Sequence, residues 1–399
     1  YNSLGQIEQT ISYGEAINLG SLPLNAKESD VASLVSGQTD LHKGYLVYND
    51  LGQERFSIDS RGVVTEKIYN ALGLVEQTKV YLTAVSFDSN PSYAEMQAAV
   101  ENIAQTDIAT TTFEYDKLGQ MVAATDAEGN YESYIYDGYG NKVTYTNQRG
   151  YTWSYDHNAL GMVIEEETPE VEVSRVDSDM NVTTTRETIK TKLVYDSRGN
   201  IKEKIEAYGT ADERTTTYHY DALGRQIRVE YPQSGVFIET SADDATTRQE
   251  TVQSLTDEFK YDSLGNKAVI KNTGNGYSYN IYDLMGRVIY EIDAERYVTE
   301  HKYDALGNET ELTRYADQIS LGAHTAGEII SESTKASIES QLGSMSVRTH
   351  TTYYNALGRV VKTVDPQVAN YDAEKEQGYM ASPTIENQYD LYGNLQKQS

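Results

Sequence analysis

A five-residue motif that recurs along the chain is the feature that most limits its possible folds. The motif is an aromatic residue, Asp or Asn, two variable residues and Gly, as in Tyr1-Asn2-Ser3-Leu4-Gly5. Its first residue recurs at Tyr48, Tyr69, Tyr115, Tyr136, Tyr195, Tyr220, Tyr261, Tyr282, Tyr303, Tyr354 and Tyr389, and His157 takes the aromatic place in a thirteenth copy. Five neighbouring pairs are 21 residues apart: 48 to 69, 115 to 136, 136 to 157, 261 to 282 and 282 to 303. A fixed period of this kind indicates a repeat architecture.

One repeat unit is typical of two short strands joined by tight turns. Phe113 and Tyr115 alternate with polar residues, which is the period of a half-buried strand, and the turn signal Asp116-Lys117-Leu118-Gly119 follows. An Asp side chain can bond its own backbone two residues on, and Gly adopts positive φ without steric cost, as in a type I turn closed by a left-handed residue. A second turn signal lies ten residues after the first, at Asp59, Asp126, Asn147 and Glu206. The spacing therefore predicts an antiparallel meander.

The number of repeats predicts an all-β fold. Thirteen units give about two dozen strands, more than an open twisted sheet usually holds, and continuous right-handed twist should coil such a ribbon. The chain has 34 Tyr, and tyrosine rings stabilise sheets as cross-strand pairs while their hydroxyls stay near water. We interpret the tyrosine-rich strands as structural packing, with a sugar-stacking surface as the alternative.

The copies resemble the repeat of the YD-repeat, or Rhs, family. The match is close from Tyr220 to Arg225 and from Tyr303 to Asn308, and three copies stand in register between Tyr261 and Asn308. The resemblance implies a β-sheet ribbon wound into a spiral, hollow shell with small helical insertions. Such shells occur in bacterial Rhs polymorphic toxins, in the cocoon-forming components of insecticidal toxin complexes and in the extracellular part of teneurins. In the bacterial members the shell encloses a C-terminal toxin until delivery.

One departure from the family pattern concerns self-cleavage. The resemblance implies a signature similar to Asp-Pro-x-Gly-Leu at the end of the array, and Asp365-Pro366-Gln367-Val368-Ala369 has the Asp-Pro without the Gly-Leu. This segment begins ten residues after Asn355, where the second turn of a unit is expected. We interpret it as a turn, with a protease remnant as the alternative. Because the chain starts inside a motif and stops ten residues after the last copy begins, we interpret it as a piece of a longer protein.

Composition narrows the classes of function. The chain has 61 acidic and 33 basic residues and a formal net charge of −28, which argues against nucleic-acid and anionic-membrane binding and fits a cationic partner or cargo. Since cysteine is absent, disulfides, a thiolate nucleophile and a Cys-type zinc site are excluded, and a bacterial source is favoured. No apolar run reaches the ~18 residues that a membrane span needs. We expect a secreted or cell-surface bacterial protein.

We predict one continuous repeat array over residues 1–399, interrupted by insertions wherever the spacing exceeds 21. The insertions cover about 9–44, 80–110, 165–190, 236–256, 315–350 and 366–385. We expect an edge hairpin over residues 165–173 and a loop from Pro366 to Pro383.

Two of these insertions carry helix signals. Asn90 and Pro91 predict the start of an amphipathic helix over about 91–105, with Asn at the N-cap and Pro in the first turn. A second helix is predicted from Ser333 to Leu342, with Gly343 as its C-cap. We expect the first helix to cover a rim or fill a gap in the shell, with docking of a partner as the alternative.

No constellation of residues predicts catalysis or metal binding. None of the histidines lies at helical zinc-motif spacing from another; they are His42, His157, His219, His301, His324 and His350. The acidic loop at Asp177 fails the calcium-loop pattern because Val182 and Thr188 stand where Gly and Glu are needed. Phosphate-loop and nucleophile-elbow motifs are absent, and carboxylates are too numerous to single out a glycosidase pair. We therefore predict no enzyme activity, no cofactor and no metal site.

The predicted functional residues are the motif tyrosines, turn aspartates and turn glycines, and their role is architectural. They are Tyr48, Gly52, Tyr69, Gly73, Tyr115, Asp116, Gly119, Tyr136, Asp137, Gly140, Tyr195, Asp196, Gly199, Tyr220, Asp221, Gly224, Tyr261, Asp262, Gly265, Tyr282, Asp283, Gly286, Tyr303, Asp304, Gly307, Tyr354, Gly358, Tyr389, Asp390 and Gly393. The first hypothesis is a non-catalytic shell segment whose partners are the rest of the shell and an enclosed C-terminal toxin or other cargo. The alternative is an extracellular carbohydrate-binding or cell-adhesion module whose partners are cell-surface glycans.

Overall fold

The computed structural model describes residues 1–13, 35, 41–85, 90–177, 179–239, 248–372, 377–389 and 395–399. Its contacts divide the chain into two compact units, Tyr1–Thr191 and Lys192–Ser399. Strands account for 51% and helices for 7%, so the predicted all-β class is confirmed. The single continuous array over residues 1–399 stays a prediction.

The first unit is an antiparallel meander in which each strand pairs with the next one along the chain. Its strands are β1 (Gln9–Tyr13), β2 (Leu41–Tyr48), β3 (Glu54–Ile58), β4 (Val64–Tyr69), β5 (Val75–Tyr81), β6 (Ile108–Tyr115), β7 (Met121–Thr125), β8 (Tyr131–Tyr136), β9 (Lys142–Thr146), β10 (Thr152–His157) and β11 (Val163–Glu167). A separate hairpin of β12 (Val171–Val176) and β13 (Val182–Glu187) follows, so the expected hairpin begins later than residue 165. Strand β14 (Lys190–Tyr195) contains the unit boundary.

The second unit continues the same pattern. Its strands are β15 (Ile201–Glu206), β16 (Arg214–Tyr220), β17 (Gln226–Glu239), β18 (Arg248–Tyr261), β19 (Lys267–Lys271), β20 (Tyr277–Tyr282), β21 (Val288–Ile292), β22 (Val298–Tyr303), β23 (Glu309–Tyr315), β24 (Val347–Tyr354), β25 (Val360–Val364), β26 (Val368–Asp372), β27 (Gln377–Ala381), β28 (Thr384–Tyr389) and β29 (Leu395–Gln398). Strands β17 and β18 have 14 residues each, longer than a repeat strand, because the insertion at 236–256 extends their hairpin.

The segment from Pro366 to Pro383 corrects two predictions. It contains the hairpin of β26 with β27, so the predicted loop is wrong. Asp365 does not close a turn with Ala369: its N–H donates to Pro383 O at 2.8 Å, and β25 pairs with β28. The physical reason is that the inserted hairpin occupies the place of the second turn and brings Pro383 opposite Asp365.

The first predicted helix is confirmed, with a different start. Helix α1 runs over Tyr93–Glu101, and its N-cap is Ser92 rather than Asn90. The Ser92 side chain accepts from the Glu95 N–H while the Glu95 carboxylate accepts from the Ser92 N–H, a capping box that overrides the Asn-Pro signal. Met96 and Val100 pack into a buried core with strand residues such as Phe56.

The second predicted helix is also confirmed. Helix α2 runs over Glu332–Leu342, with Ser331 as N-cap and Gly343 as C-cap. Its residues Ile338 and Leu342 are buried in a core that includes Val269, Tyr279 and Ile292 of the sheet. Each helical insertion thus covers part of one sheet face, which a single sheet would otherwise leave open to water.

The meander places the two kinds of turn on opposite edges of each unit. The "motif edge" is formed by the turns at Asn2, Asn49, Asn70, Asp116, Asp137 and Asn158 in the first unit and at Asp196, Asp221, Asp262, Asp283, Asp304 and Asn355 in the second. The "opposite edge" carries the second turns, such as those at Asp59 and Asp126, and the α1 and α2 insertions. This separation follows from antiparallel pairing, since alternate connections return to the same side of a sheet.

Candidate functional site

Each motif turn is closed by one set of four hydrogen bonds. At Asp116, the Asp116 N–H donates to Gln120 O at 2.9 Å and the Gly119 N–H donates to Asp116 O at 3.1 Å. The Asp116 Oδ1 accepts from the N–H groups of Leu118 and Gln120 at 2.8 and 2.9 Å. The register then slips between Glu114 and Tyr115, which is a bulge. This arrangement is the type I turn with a left-handed Gly that the sequence predicts.

The turn glycines have the backbone conformation that the motif requires. Predicted positive φ is confirmed, with values between 78° and 93°, at Gly119, Gly140, Gly224, Gly265, Gly286 and Gly307. The second turns at Asp59, Asp126 and Asn147 close in the same way, but the one predicted at Glu206 is closed from Thr210 N–H to Ala207 O instead. The predicted motif residues Asp390 and Gly393 lie outside the described residues.

The motif tyrosine joins each unit to the unit before it. Tyr303 ends β22, and its hydroxyl donates at 2.8 Å to the carbonyl of Val288, the first residue of β21. Ladder pairing between these strands stops at Tyr290 and Glu300, so the hydroxyl spans the gap beyond the last pair. The same bond, at 2.6–2.9 Å, is donated by Tyr48, Tyr69, Tyr115, Tyr136, Tyr220, Tyr261, Tyr282, Tyr354 and Tyr389. We call this set of hydroxyl–carbonyl bonds the repeat seam.

The residue after the turn glycine contacts the repeat seam, and the sequence analysis missed its role. The Arg287 guanidinium bonds Asp283 of its own turn at 2.7 Å and lies 4.7 Å from the ring centre of Tyr303 in the next unit. Arg225 lies 4.6 Å from the Tyr261 ring in the same way. In other units an Asn takes this place and donates to the turn Asp, as Asn308 does. The signal was the repeated Arg or Asn directly after Gly.

The electrostatics of the repeat seam keep its groups in the protonation states that these bonds need. The Asn308 side-chain amide, together with backbone N–H groups, holds the pKa of Asp304 below its usual value. Burial raises the pKa of the Tyr303 hydroxyl, which therefore stays a donor. A carboxylate whose folded pKa is lowered stabilises the fold above its unfolded pKa, and this contribution is lost as the pH falls through the folded pKa.

Outside the repeat seam, two histidines contact carboxylates across neighbouring strands. His301 Nδ1 lies 2.7 Å from Glu309, and His350 Nδ1 lies 2.7 Å from Asp365. Among the residues that the structure describes, no group of three or more His, Asp or Glu could hold a metal ion. In the same residues, no helix is long and apolar enough to cross a membrane.

The thirteenth copy of the motif lacks the tyrosine hydroxyl that makes the repeat-seam bond in other copies. His157 stands in the tyrosine place, and its buried Nδ1 has no hydrogen-bond partner. Pairing of β10 with β9 ends at Ser154 and Thr144, as at the other seams. A tyrosine here would reach Lys142 O, six residues after Tyr136, in the way that the other motif tyrosines reach their acceptors.

We expect His157→Tyr to stabilise the first unit by about 0.5–1.5 kcal/mol, because it adds a hydrogen bond and removes an unpaired buried nitrogen. Urea unfolding followed by circular dichroism measures the change. His219→Tyr, on the more exposed part of a strand, is the matched control and should be near neutral. No gain at position 157, or an equal gain at both positions, would count against the role of the seam.

Two bacterial proteins are similar in sequence to about half of this chain. No family model matches it. It is 27% identical over 217 residues to the tRNA3(Ser)-specific nuclease WapA of Bacillus spizizenii and 26% identical over 208 residues to the tRNA nuclease WapA of Bacillus subtilis. Each match covers 51% of this chain, and the chain spans only 9% of each relative's length.

Two solved structures align with most or all of the chain at low similarity. TcdB2-TccC3 without its hypervariable C-terminal region aligns at a TM-score of 0.36 and 11% identity, over 90% of this chain and 21% of that one. TcdB2-TccC3-TEV aligns at a TM-score of 0.34 and 12% identity, over 100% of this chain and 23% of that one.

Proposed function

We propose that this chain, a YD-repeat (Rhs-repeat) protein, is a non-catalytic wall segment of a hollow shell that encloses a toxin or other C-terminal cargo for delivery. The shell would belong to a secreted or cell-surface bacterial protein. Its partners would be the remaining parts of the shell and the cargo. The net charge of −28 favours a cationic cargo, because opposite charge draws the two together.

The repeat seam is the observation that carries this proposal. Ten described motif tyrosines donate their hydroxyls to the preceding unit, and this use commits ten of the chain's 34 tyrosines to architecture. A ribbon whose units are fixed to each other at the strand ends as well as along the ladders suits a wall. The turn aspartates of the motif are likewise used to close the turns, as Asp116 and Asp304 do.

An aromatic row on β8, β9 and β10 bears on the carbohydrate-binding alternative. Tyr134 and Tyr145 stack at 5.3 Å, and Tyr145 and Trp153 stack at 5.7 Å. The Lys142 ammonium lies 5.4 Å from the Tyr145 ring, and Glu132 accepts from the Tyr134 hydroxyl at 2.6 Å. Because protein groups already occupy ring faces and hydroxyls, we favour packing over sugar stacking for this row.

The proposed shell is tested by protease protection of the full-length gene product that contains this chain. The C-terminal segment should resist a protease in the intact protein, and become sensitive when Tyr303→Ala opens a seam. Tyr139→Ala, a 95% exposed turn residue, is the matched control and should preserve protection. Digestion of the C-terminal segment at the same rate in the intact protein as when it is produced alone would refute the proposal.

The chain should not cleave itself. Asp365 is held by His350 at 2.7 Å at the base of a hairpin, and autoproteolysis would also need a scissile bond placed within hydrogen-bond reach of a second acid. Intact-mass measurement of the purified chain between about pH 4 and pH 8 tests this. A discrete product that disappears in Asp365→Asn would contradict the prediction, whereas fragmentation in hot acid reflects the lability of Asp-Pro bonds.

A further inference from the structure

We propose that the motif edge is a lateral docking surface, and that its occupant is the motif edge of a second copy of this chain. The inference rests on the geometry of the turns and does not depend on the proposed shell function. Three observations about the two edges, each made within the described residues of the separate units, carry it.

The first observation is a row of exposed apolar side chains. In each motif turn we call the residue before the glycine the corner residue. Corner residues are 65–95% exposed, although nearly all are large and apolar: Leu4, Leu51, Leu72, Leu118, Tyr139, Leu160, Leu223, Leu264, Met285, Leu306 and Leu357. Single exposed leucines are ordinary on protein surfaces, but a regular series on one edge is not. Arg198 is the departure, and it donates to Asp221 O and Ala222 O of the neighbouring turn.

The second observation is that the turn itself does not require these side chains. At the opposite edge, Asp126 Oδ1 accepts from the N–H groups of Glu128 and Asn130 at 2.9 Å, and Gly129 is left-handed. This closure is the same as at Asp116. The residues at the corresponding position of the second turns are exposed and, except for Gly274, charged: Arg61, Glu128, Arg149 and Glu295. The two kinds of turn share one backbone geometry but differ in the side chain before the left-handed residue. The leucines of the motif turns therefore have a role other than closing the turn.

The third observation is that the named insertions all lie away from the motif edge and leave its turns short. Helix α1, helix α2, the β12–β13 hairpin, the β26–β27 hairpin and the long ends of β17 and β18 all grow from the opposite edge. The motif turns from Asn49 to Asn355 keep the same short form throughout. An edge without insertions can contact a second such edge at several turns in succession, whereas the insertions at the opposite edge would prevent this contact by steric overlap.

Charge and spacing favour a second copy as the occupant. Two chains of net charge −28 repel, so contact is favoured where little of that charge lies. From the turn Asp or Asn to the residue after Gly, the twelve described motif turns together hold eight Asp and five Lys or Arg. The residue directly before the corner residue is small and neutral in most motif turns: Ser3, Ala71, Gly138, Ala159, Ser197, Ala222, Ser263, Ala305 and Ala356. With two strands per unit, corner residues recur about every 10 Å, and only a partner with the same period can seat each one. A two-fold pairing of identical edges meets that condition.

Cross-linking at engineered cysteines tests the contact directly, because the chain has no cysteine of its own. Leu118→Cys, alone or mixed in turn with a cysteine variant of each other corner residue, should form cross-linked dimers with a short bifunctional maleimide in one of these mixtures, whereas Glu128→Cys in the same mixtures should not. Both positions are exposed corners of the same turn type, so they differ only in edge. Equal cross-linking from the two edges, or none from Leu118→Cys at about 100 µM, would overturn the proposal.

Sedimentation equilibrium supplies the second arm. The triple variant Leu72→Ser, Leu118→Ser and Leu160→Ser should raise the dimer dissociation constant by at least about tenfold, because the apolar area that the three leucines bury at the contact is lost. The matched triple of Arg61→Ser, Glu128→Ser and Arg149→Ser should change it by less than about twofold. Circular dichroism verifies that both fold. A chain that stays monomeric, or a dimer that ignores the leucine triple, refutes the docking surface and leaves the wall proposal standing.

Discussion

Replacing Gly286 with Val is expected to destabilise the second unit by about 1–3 kcal/mol, because a β-branched residue is strained at positive φ. Gly286 has φ 78°, and a Cβ there would also lie 3.3 Å from Asn266 Oδ1 in the neighbouring turn. Urea unfolding measures the loss. Gly138→Val is the matched control, since Gly138 lies in a motif turn without positive φ and with open space around its Cβ position.

The pattern of damage in Gly286→Val is as informative as its size. Because each repeat unit packs mainly on its neighbours, amide-exchange protection should fall first in β20 and β21, then in β19 and β22, and last at distant strands. Hydrogen exchange read by mass spectrometry resolves these segments. Uniform loss of protection from Tyr1 to Ser399 would instead indicate one cooperative globule and would contradict the repeat description.

The turn chemistry was predictable because it is local. Asp116 and Gly119 specify the turn through a side-chain bond two residues on and a left-handed backbone, and both depend only on residues in sequence contact. The 21-residue period then fixes strand length and the antiparallel order. For the same reason, local signals indicated the helices near Tyr93 and Glu332: apolar spacing for the first and the C-cap Gly343 for the second, although the first begins at Ser92 rather than at the predicted N-cap Asn90.

The repeat seam was not predictable from one unit, because its acceptor lies in another. Nothing around Tyr303 indicates that its hydroxyl will meet Val288 O; the bond exists because ladder pairing stops early and leaves a gap of that width. The Asp365 turn failed for a related reason: an inserted hairpin brought in Pro383 as a partner from beyond the local window. Likewise, the contrast between Leu118 and Glu128 has meaning only once the meander assigns them to different edges.

Truncating a seam tyrosine separates the two parts of its contribution. Tyr303→Phe keeps the ring against Arg287 and loses only the bond to Val288 O, so it should cost about 0.5–1.5 kcal/mol. Tyr303→Ala also loses the half-buried ring and its cation–π contact, and should cost about 2–3 kcal/mol. Urea unfolding of both variants gives the difference.

Arg287→Gln completes the design, since a cycle with Tyr303→Phe and Tyr303→Ala isolates the coupling between ring and guanidinium. The stabilisation from the ring–guanidinium contact should remain in the Tyr303→Phe variant and be lost in the Tyr303→Ala variant, because the cation–π contact needs the ring and not the hydroxyl. Tyr139→Ala, at a 95% exposed corner, should be nearly neutral in dilute solution. If Tyr303→Ala lowered the free energy of unfolding as little as Tyr139→Ala does, the strand-to-strand hydrogen bonds alone would hold the sheet and Tyr303 would contribute nothing to its stability. If Tyr303→Phe lowered the free energy of unfolding as much as Tyr303→Ala does, the whole contribution of Tyr303 would come from its hydroxyl and none from its ring.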